Sequence, residues 1–205
     1  MSLQPQAAYS FDDYLAVERE AIDAKHEYVA GHLYAMTGAS YNHNLITLNL
    51  ASELRAALKS GPSTVLSNDM RIRVDAADAS TYPDVVALCD EPAFHDERSD
   101  VLTNPILLIE VLSPSTEGYD RGGKFAIYRA LPSLRQYVLV AQDRYSVDVF
   151  TRRDDDRWVL TAYSDPDDLI RFDAIECVVP MAEIYARVQF DRVRFELEET
   201  RGHAG

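Results

Sequence analysis

The apolar positions of the chain fall into periods that define its elements. Phe11, Tyr14, Leu15 and Ala21 follow Ser10 and share their first turn with Asp12 and Asp13. That spacing predicts a short amphipathic helix to about Glu20, capped by Ser10. Two β-prone runs, His26–Val29 and His32–Met36, flank Ala30-Gly31 and read as a hairpin. Residues 41–59 form the clearest helix, with Ile46, Leu50, Leu54, Ala57 and Leu58 supplying apolar surface and Gly61-Pro62 ending it. Val65 to Val74 alternates as one strand, with Met70, Ile72 and Val74 opposite Arg71 and Arg73. Residues 84–88 and 106–112 are nearly continuous apolar runs, as expected of strands buried on both faces. A helix is expected from Lys124 to Leu131, closed by Pro132. Strands are then expected over 136–141, 146–152 and 158–163, and a last helix over 181–188. Helices mixed with buried and amphipathic strands predict an α/β or α+β domain over residues 9–190. A flexible N-terminus (1–8) and a charged, frayed tail (191–205) would flank it.

Composition narrows the class. The charged fraction of 26% and apolar fraction of 47% exclude wholesale disorder. Cys89 and Cys177 form no ligand-spaced pair, which argues against a disulfide scaffold or zinc site. No apolar run reaches the roughly 18 residues of a membrane helix. The N-terminus lacks a signal-peptide pattern, so a cytoplasmic protein is expected. The net charge of −14 opposes nonspecific phosphate binding. It is unevenly spread, however. Residues 61–120 carry three basic and twelve acidic side chains, whereas residues 121–160 carry eight basic and five acidic.

Two acids stand where charge is expensive. Asp84 opens a buried-looking strand behind Pro83, and Glu110 lies inside the run 106–112. Each alone could be a hydrated acid at a sheet edge. Together they lie on successive strands, and neighbouring strands are about 4.8 Å apart. Two carboxylates about 4 Å apart repel by about 4 kcal/mol at an effective dielectric near 20. A shared divalent cation removes that penalty, and oxygen-only ligands favour Mg²⁺ or Mn²⁺ over zinc. Lys124, behind Gly122-Gly123, could stabilise developing negative charge or could be an exposed helix lysine. Glu27 reads as a solvated strand acid unless the hairpin abuts these strands. His26, His32, His43 and His95 show no metal-ligand spacing, and His43 reads as a capping or surface residue. The hydroxyls of Ser113-Pro114-Ser115-Thr116 lack a Gly-x-Ser-x-Gly elbow, and no phosphate-binding loop is present.

These motifs resemble a known family. The runs Pro83-Asp84-Val85-Val86, Ile109-Glu110-Val111-Leu112-Ser113-Pro114-Ser115-Thr116 and Tyr119-Asp120, followed by Lys124 and Tyr128, are similar to the Uma-two family of "putative restriction endonucleases". So are Asp13-Tyr14, Glu27-Tyr28-Val29-Ala30-Gly31, Gly38 and His43. The family belongs to the PD-(D/E)XK nuclease-like superfamily. The resemblance implies a restriction-endonuclease-like core, a central mixed β-sheet flanked by helices. It implies Mg²⁺- or Mn²⁺-dependent hydrolysis of phosphodiester bonds in nucleic acid, DNA first. Asp84, Glu110 and the Val111 backbone carbonyl would hold the metal, with Glu27 assisting. Leu112 stands where the superfamily has its usual lysine, and Lys124 would substitute. Weak, metal-dependent nucleic-acid binding and a homodimer are expected. The alternatives are a catalytically silent binding or regulatory module and a metal hydrolase of small phosphate esters.

Overall fold

The computed structural model describes residues 8–190. The expectations for the N-terminal segment and for the tail beyond 190 therefore fall largely or wholly outside the described residues. In chain order the elements are α1 (Phe11–Glu20), β1 (His26–Val29), β2 (His32–Ala35), α2 (Tyr41–Ala57), β3 (Thr64–Ser67), β4 (Arg71–Val74), β5 (Ala79–Thr81), β6 (Val85–Leu88), β7 (Val101–Leu102) and β8 (Leu107–Leu112). A helical crossover follows: α3 (Glu117–Tyr119), a π-turn (Asp120–Lys124) and α4 (Phe125–Tyr128). The chain continues with β9 (Gln136–Ala141), β10 (Val147–Arg152), β11 (Trp158–Tyr163), β12 (Leu169–Phe172), β13 (Cys177–Pro180) and α5 (Met181–Ile184).

Local chemistry sets the first elements. Ser10 and Asp13 form a reciprocal capping box at the start of α1. Ala30 and Gly31 both have positive φ, which the two-residue β1–β2 turn requires. Gly31 also packs so closely on Ala8 that a Cβ there would lie 2.6 Å from the alanine methyl.

Two larger sheets meet at the site. One has strand order β2-β1-β5-β4-β7; the other is mixed, ordered β11-β10-β9-β8-β6-β3, with β8 and β9 parallel. The helical crossover supplies the connection that a parallel pair needs. Strand β8 is buried along its length because both faces are covered. Leu107, Ile109 and Val111 face a core completed by α2, α5 and the β12–β13 hairpin. Leu108 and Leu112 face a second core with Ile72, Val74, Leu102, Tyr128 and Tyr137. By alternation, Glu110 points toward this second core. Residues 82–84 join β5 of one sheet to β6 of the other, placing Asp84 at their junction.

Several elements differ from the sequence expectation. Val65–Val74 is two strands in different sheets, broken at Asn68, which has a φ of 61°. Arg71 and Arg73 are buried and paired with acids rather than forming a solvent face. The helix expected from Lys124 starts earlier, at Glu117, and Lys124 lies in its π-turn. The last helix ends at Ile184, and the β12–β13 hairpin and strands β5 and β7 were not anticipated.

Asp100, just before β7, ties three elements together. It accepts from Arg19 of α1 at 2.6 and 3.0 Å and also from Arg71 of β4. The Arg19 hydrogen bond holds its pKa below the usual carboxylate value, against the opposing effect of burial. A depressed pKa contributes stability above the unfolded value of 3.8 that is lost as pH falls. Asp100→Ala should therefore cost about 1–2 kcal/mol at pH 7. In urea denaturation the gap between wild type and variant should shrink below pH 4.

Candidate active site

A cleft of about 790 Å³ opens where the two sheets meet the helical crossover, and Glu27, His43, Asp84, Glu110, Asp120 and Lys124 lie on its wall. Each reaches it from a different part of the chain. Glu27 comes from β1, His43 from the first turn of α2, Asp84 from the entry to β6 and Glu110 from β8. Asp120 and Lys124 bracket the π-turn. Asp120 and Lys124 stand four apart on the same helical face, with Lys124 Nζ 3.8 Å from Asp120 Oδ1. π-Turns occur frequently at functional sites.

Lys124 is the hub. Its ammonium lies 2.9 Å from Glu27 Oε1 and 2.9 Å from Glu110 Oε1. All three side chains are buried, with residue exposures of 6% for Lys124, 8% for Glu27 and 4% for Glu110. Glu110 Oε1 also accepts from the Tyr128 hydroxyl at 2.8 Å, and that hydroxyl lies 2.9 Å from Thr81 Oγ1. The Tyr82 backbone N–H donates to Glu27 Oε1 at 3.3 Å. Behind it, buried Glu18 accepts from the Tyr82 hydroxyl at 2.8 Å and from the His26 backbone N–H at 2.9 Å. Asp84 forms a second centre. Its Oδ2 accepts from the Val111 N–H at 2.7 Å and lies 3.3 Å from His43 Nε2.

The charges do not balance. Glu27, Glu110 and Asp120 face one ammonium. Burial raises the Glu110 pKa well above its usual value; Lys124 opposes the rise, and Asp84, Asp120 and Glu27 add to it. Burial likewise raises Asp120. For Lys124, burial works against the charge, but Glu110, Glu27 and Asp120 outweigh it and hold the pKa well above normal. The lysine therefore stays protonated, and the excess negative charge falls on the carboxyls. His43 is also shifted upward: burial lowers its pKa, and the hydrogen bond and charge of Asp84, with the Val111 carbonyl, more than compensate.

The groups that could hold a metal are Asp84, Glu110 and the Val111 carbonyl. Asp84 Oδ1 and Glu110 Oε2 accept no hydrogen bond from the described residues. Oxygen donors of this kind suit a hard divalent cation. Among the described residues, no three His, Cys, Asp or Glu side chains already stand in ligand geometry.

The structure thus brings together all four side chains singled out from sequence, with Val111 beside them. Glu27 is a buried ion-pair partner rather than a solvated strand acid. Gly122-Gly123 has a more specific use than close backbone approach: a Cβ on Gly123 would lie 2.8 Å from the Tyr119 ring, while one on Gly122 would meet nothing within 4 Å. The resemblance matched His43, Asp120 and Tyr128 without giving them a role; the structure places His43 and Asp120 on the cleft wall and sets Tyr128, backed by Thr81, on Glu110. His43 left a signal, because α2 has no acid in its first turn and carries a histidine there, against the helix dipole.

The fold is shared with a solved structure. It resembles the crystal structure of a putative nuclease belonging to DUF820 from Anabaena variabilis, with a TM-score of 0.70 at 17% identity, covering 86% of this chain and 97% of that one. The family described as "Putative restriction endonuclease" (Uma2) matches residues 11–182, and the chain belongs to that family. Two uncharacterized proteins of Synechocystis sp. are similar to it. One, sll1609, is 36% identical over 73% of this chain and 84% of its own length. The other, slr1290, is 37% identical over 80% of this chain and 85% of its own length.

The hub predicts a pH-dependent loss. Lys124→Met leaves Glu27, Glu110 and Asp120 without their cation and should cost about 3–5 kcal/mol at pH 8. At pH 5 the loss should be smaller, because the raised pKa values of Glu110 and Asp120 let protons replace the lysine charge. Urea denaturation at the two pH values checks this, and equal losses would contradict the charge imbalance.

Proposed function

We propose that the chain is a Mg²⁺- or Mn²⁺-dependent endonuclease that hydrolyses phosphodiester bonds of nucleic acid, DNA first. The observation that carries this reading is the convergence of Glu27 and Glu110 on Lys124, with Asp84 on the same cleft wall, in a nuclease-like fold. Asp84, Glu110 and the Val111 carbonyl are assigned to the cation. When bound, a divalent cation lowers the pKa of a water nucleophile and offsets charge developing on the phosphate. The remaining roles belong to the chain. Lys124 presents a fixed positive charge near the scissile phosphate, and Glu27 and Asp120 hold that lysine in place. Tyr128, itself held by Thr81, fixes the rotamer of Glu110. His43 does the same for Asp84. No helix among the described residues is long and apolar enough to cross a membrane. The free thiols Cys89 and Cys177 suit a cytoplasmic setting.

Asp84→Ala and Glu110→Ala should each reduce cleavage of plasmid DNA in Mn²⁺ at least 100-fold. Calorimetry should show Mn²⁺ binding by wild type that the double variant lacks. Activity unchanged in both variants would overturn the assignment. Absence of Mn²⁺ binding would favour a silent binding or regulatory module. Turnover of a small phosphodiester without cleavage of any strand would favour a small-ester hydrolase.

We further infer that two copies pair through β11. This edge strand runs Trp158-Val159-Leu160-Thr161-Ala162-Tyr163, and its six-pair ladder with β10 carries no bulge. It has no charge and no proline, the usual guards of an exposed edge. Antiparallel pairing about a two-fold axis would continue the ladder from one copy into the other. Light scattering should show a dimer for wild type and a monomer for Leu160→Lys.

A further inference from the structure

The cleft has a second character besides its acids. Tyr34 of β2 lies directly opposite Glu27 in the β1–β2 ladder, so its side chain leaves the same face of the sheet. It lines the cleft and is 55% exposed. Tyr119 of α3 lines the cleft beside Thr116 and Asp120 and is 39% exposed. Its ring is seated against Gly123, where a Cβ would collide at 2.8 Å. Met36 is a third exposed apolar side chain on the wall. A soluble domain rarely leaves two tyrosines and a methionine open beside a polar centre without a use for them.

The cleft also lacks what a duplex binder needs. Grip on a duplex comes mainly from Lys and Arg contacts to phosphates. Among the described residues, Lys124 is the one Lys or Arg on the cleft wall, and Glu27 and Glu110 already hold it. Two arginines that follow Glu110 in the chain are engaged elsewhere. Arg121 pairs with Glu117 and Asp148, and Arg152 donates to backbone carbonyls of Arg129 and Leu131. A volume of about 790 Å³ suits a ligand of nucleotide size.

We propose that the cleft takes an unpaired nucleotide of a single strand, whose base stacks on Tyr34 and Tyr119 while its phosphate lies over Asp84 and Glu110. This rests on the hydrolytic reading above for the phosphate, and adds which kind of strand presents it. Stacking tolerates any base, and here a cation over Asp84 and Glu110 would meet the phosphate in place of the basic groove that single-strand binders usually carry.

Fluorescence anisotropy tests the proposal without requiring cleavage. A labelled 15-nucleotide single strand, the matching duplex and thymidine monophosphate as competitor are titrated in Ca²⁺, a hard cation for the same oxygen donors. The single strand should bind at least 10-fold more tightly than the duplex. Tyr34→Ala and Tyr119→Ala should each weaken it about 5- to 100-fold. Tyr34→Phe and Tyr119→Phe should bind nearly as wild type, and thermal melts should show all four variants folded. Equal affinity for duplex and strand, or alanine variants that bind as wild type, would overturn the proposal. So would competition by the mononucleotide at the strand's own affinity, which would mark the cleft as a free-nucleotide site. Tyrosine-dependent strand binding in a chain that cleaves nothing would support this proposal while overturning the hydrolytic reading.

Discussion

One buried ammonium facing three carboxylates is the constraint around which the site is built. Removing charges of this kind from water costs several kcal/mol each, and direct pairing repays the cost only when hydrogen bonds complete the shell. The shell here is assembled from both large sheets and the crossover. Glu27 belongs to the β1–β2 hairpin, Glu110 to the central strand of the other sheet, and Asp120 and Lys124 to the π-turn between β8 and β9. The ion pairs therefore cross-link elements that share few other direct contacts. Displacing the hairpin would strand Lys124 with fewer partners, and displacing the crossover would leave Glu27 and Glu110 facing each other across the cleft.

The surrounding polar groups act on this centre at one remove. Thr81 and Tyr128 hold one oxygen of Glu110, so the other is left toward the cleft. Glu18 on the buried face of α1 grips Tyr82 and the β1 backbone, and Tyr82 in turn donates to Glu27. An acid at a core-facing helical position looks like an error in amphipathic pattern; here it carries the position of α1 into the site. Asp84 is fixed by a backbone N–H of β8, so its carboxylate follows the strand that bears Glu110. The two carboxylates most suited to a cation are in this way held in one frame.

Much of this was legible in the sequence because periodicity reports burial. The apolar runs 84–88 and 106–112 made Asp84 and Glu110 conspicuous, and those strands are indeed neighbours. Where a weak signal competed with apolar alternation, the reading failed. The break at Asn68 is signalled only by the turn-prone Ser67-Asn68-Asp69, without Gly or Pro, so two strands of different sheets read as one. The β12–β13 hairpin turns through a short 3₁₀ segment ending at Glu176 in the left-handed region, again without glycine. Asp120 looked like one more charge in an acidic stretch, because the helix that sets it four residues from Lys124 begins earlier than the apolar pattern suggests. His43 needed a long-range fact, the docking of the α2 N-terminus against β6 and β8, which no window of sequence contains.

The net charge of −14 takes on a local meaning in this setting. The cleft wall carries Glu27, Asp84, Glu110 and Asp120 against Lys124 and His43. A phosphate approaching that wall meets excess negative charge held on buried side chains, which solvent ions screen less than surface charges. Two added positive charges would at most cancel that excess, and they would do so where Asp84 and Glu110 leave oxygens unengaged. Under the proposed hydrolytic function, Asp84 and Glu110 would hold the cation, which would supply the positive charge that lets a phosphate approach. The same balance explains why aromatic surface would be favoured over lysine and arginine for holding the substrate. Extra basic side chains in the cleft would pair with the carboxylates and compete with the cation, whereas Tyr34 and Tyr119 add affinity without touching the charge.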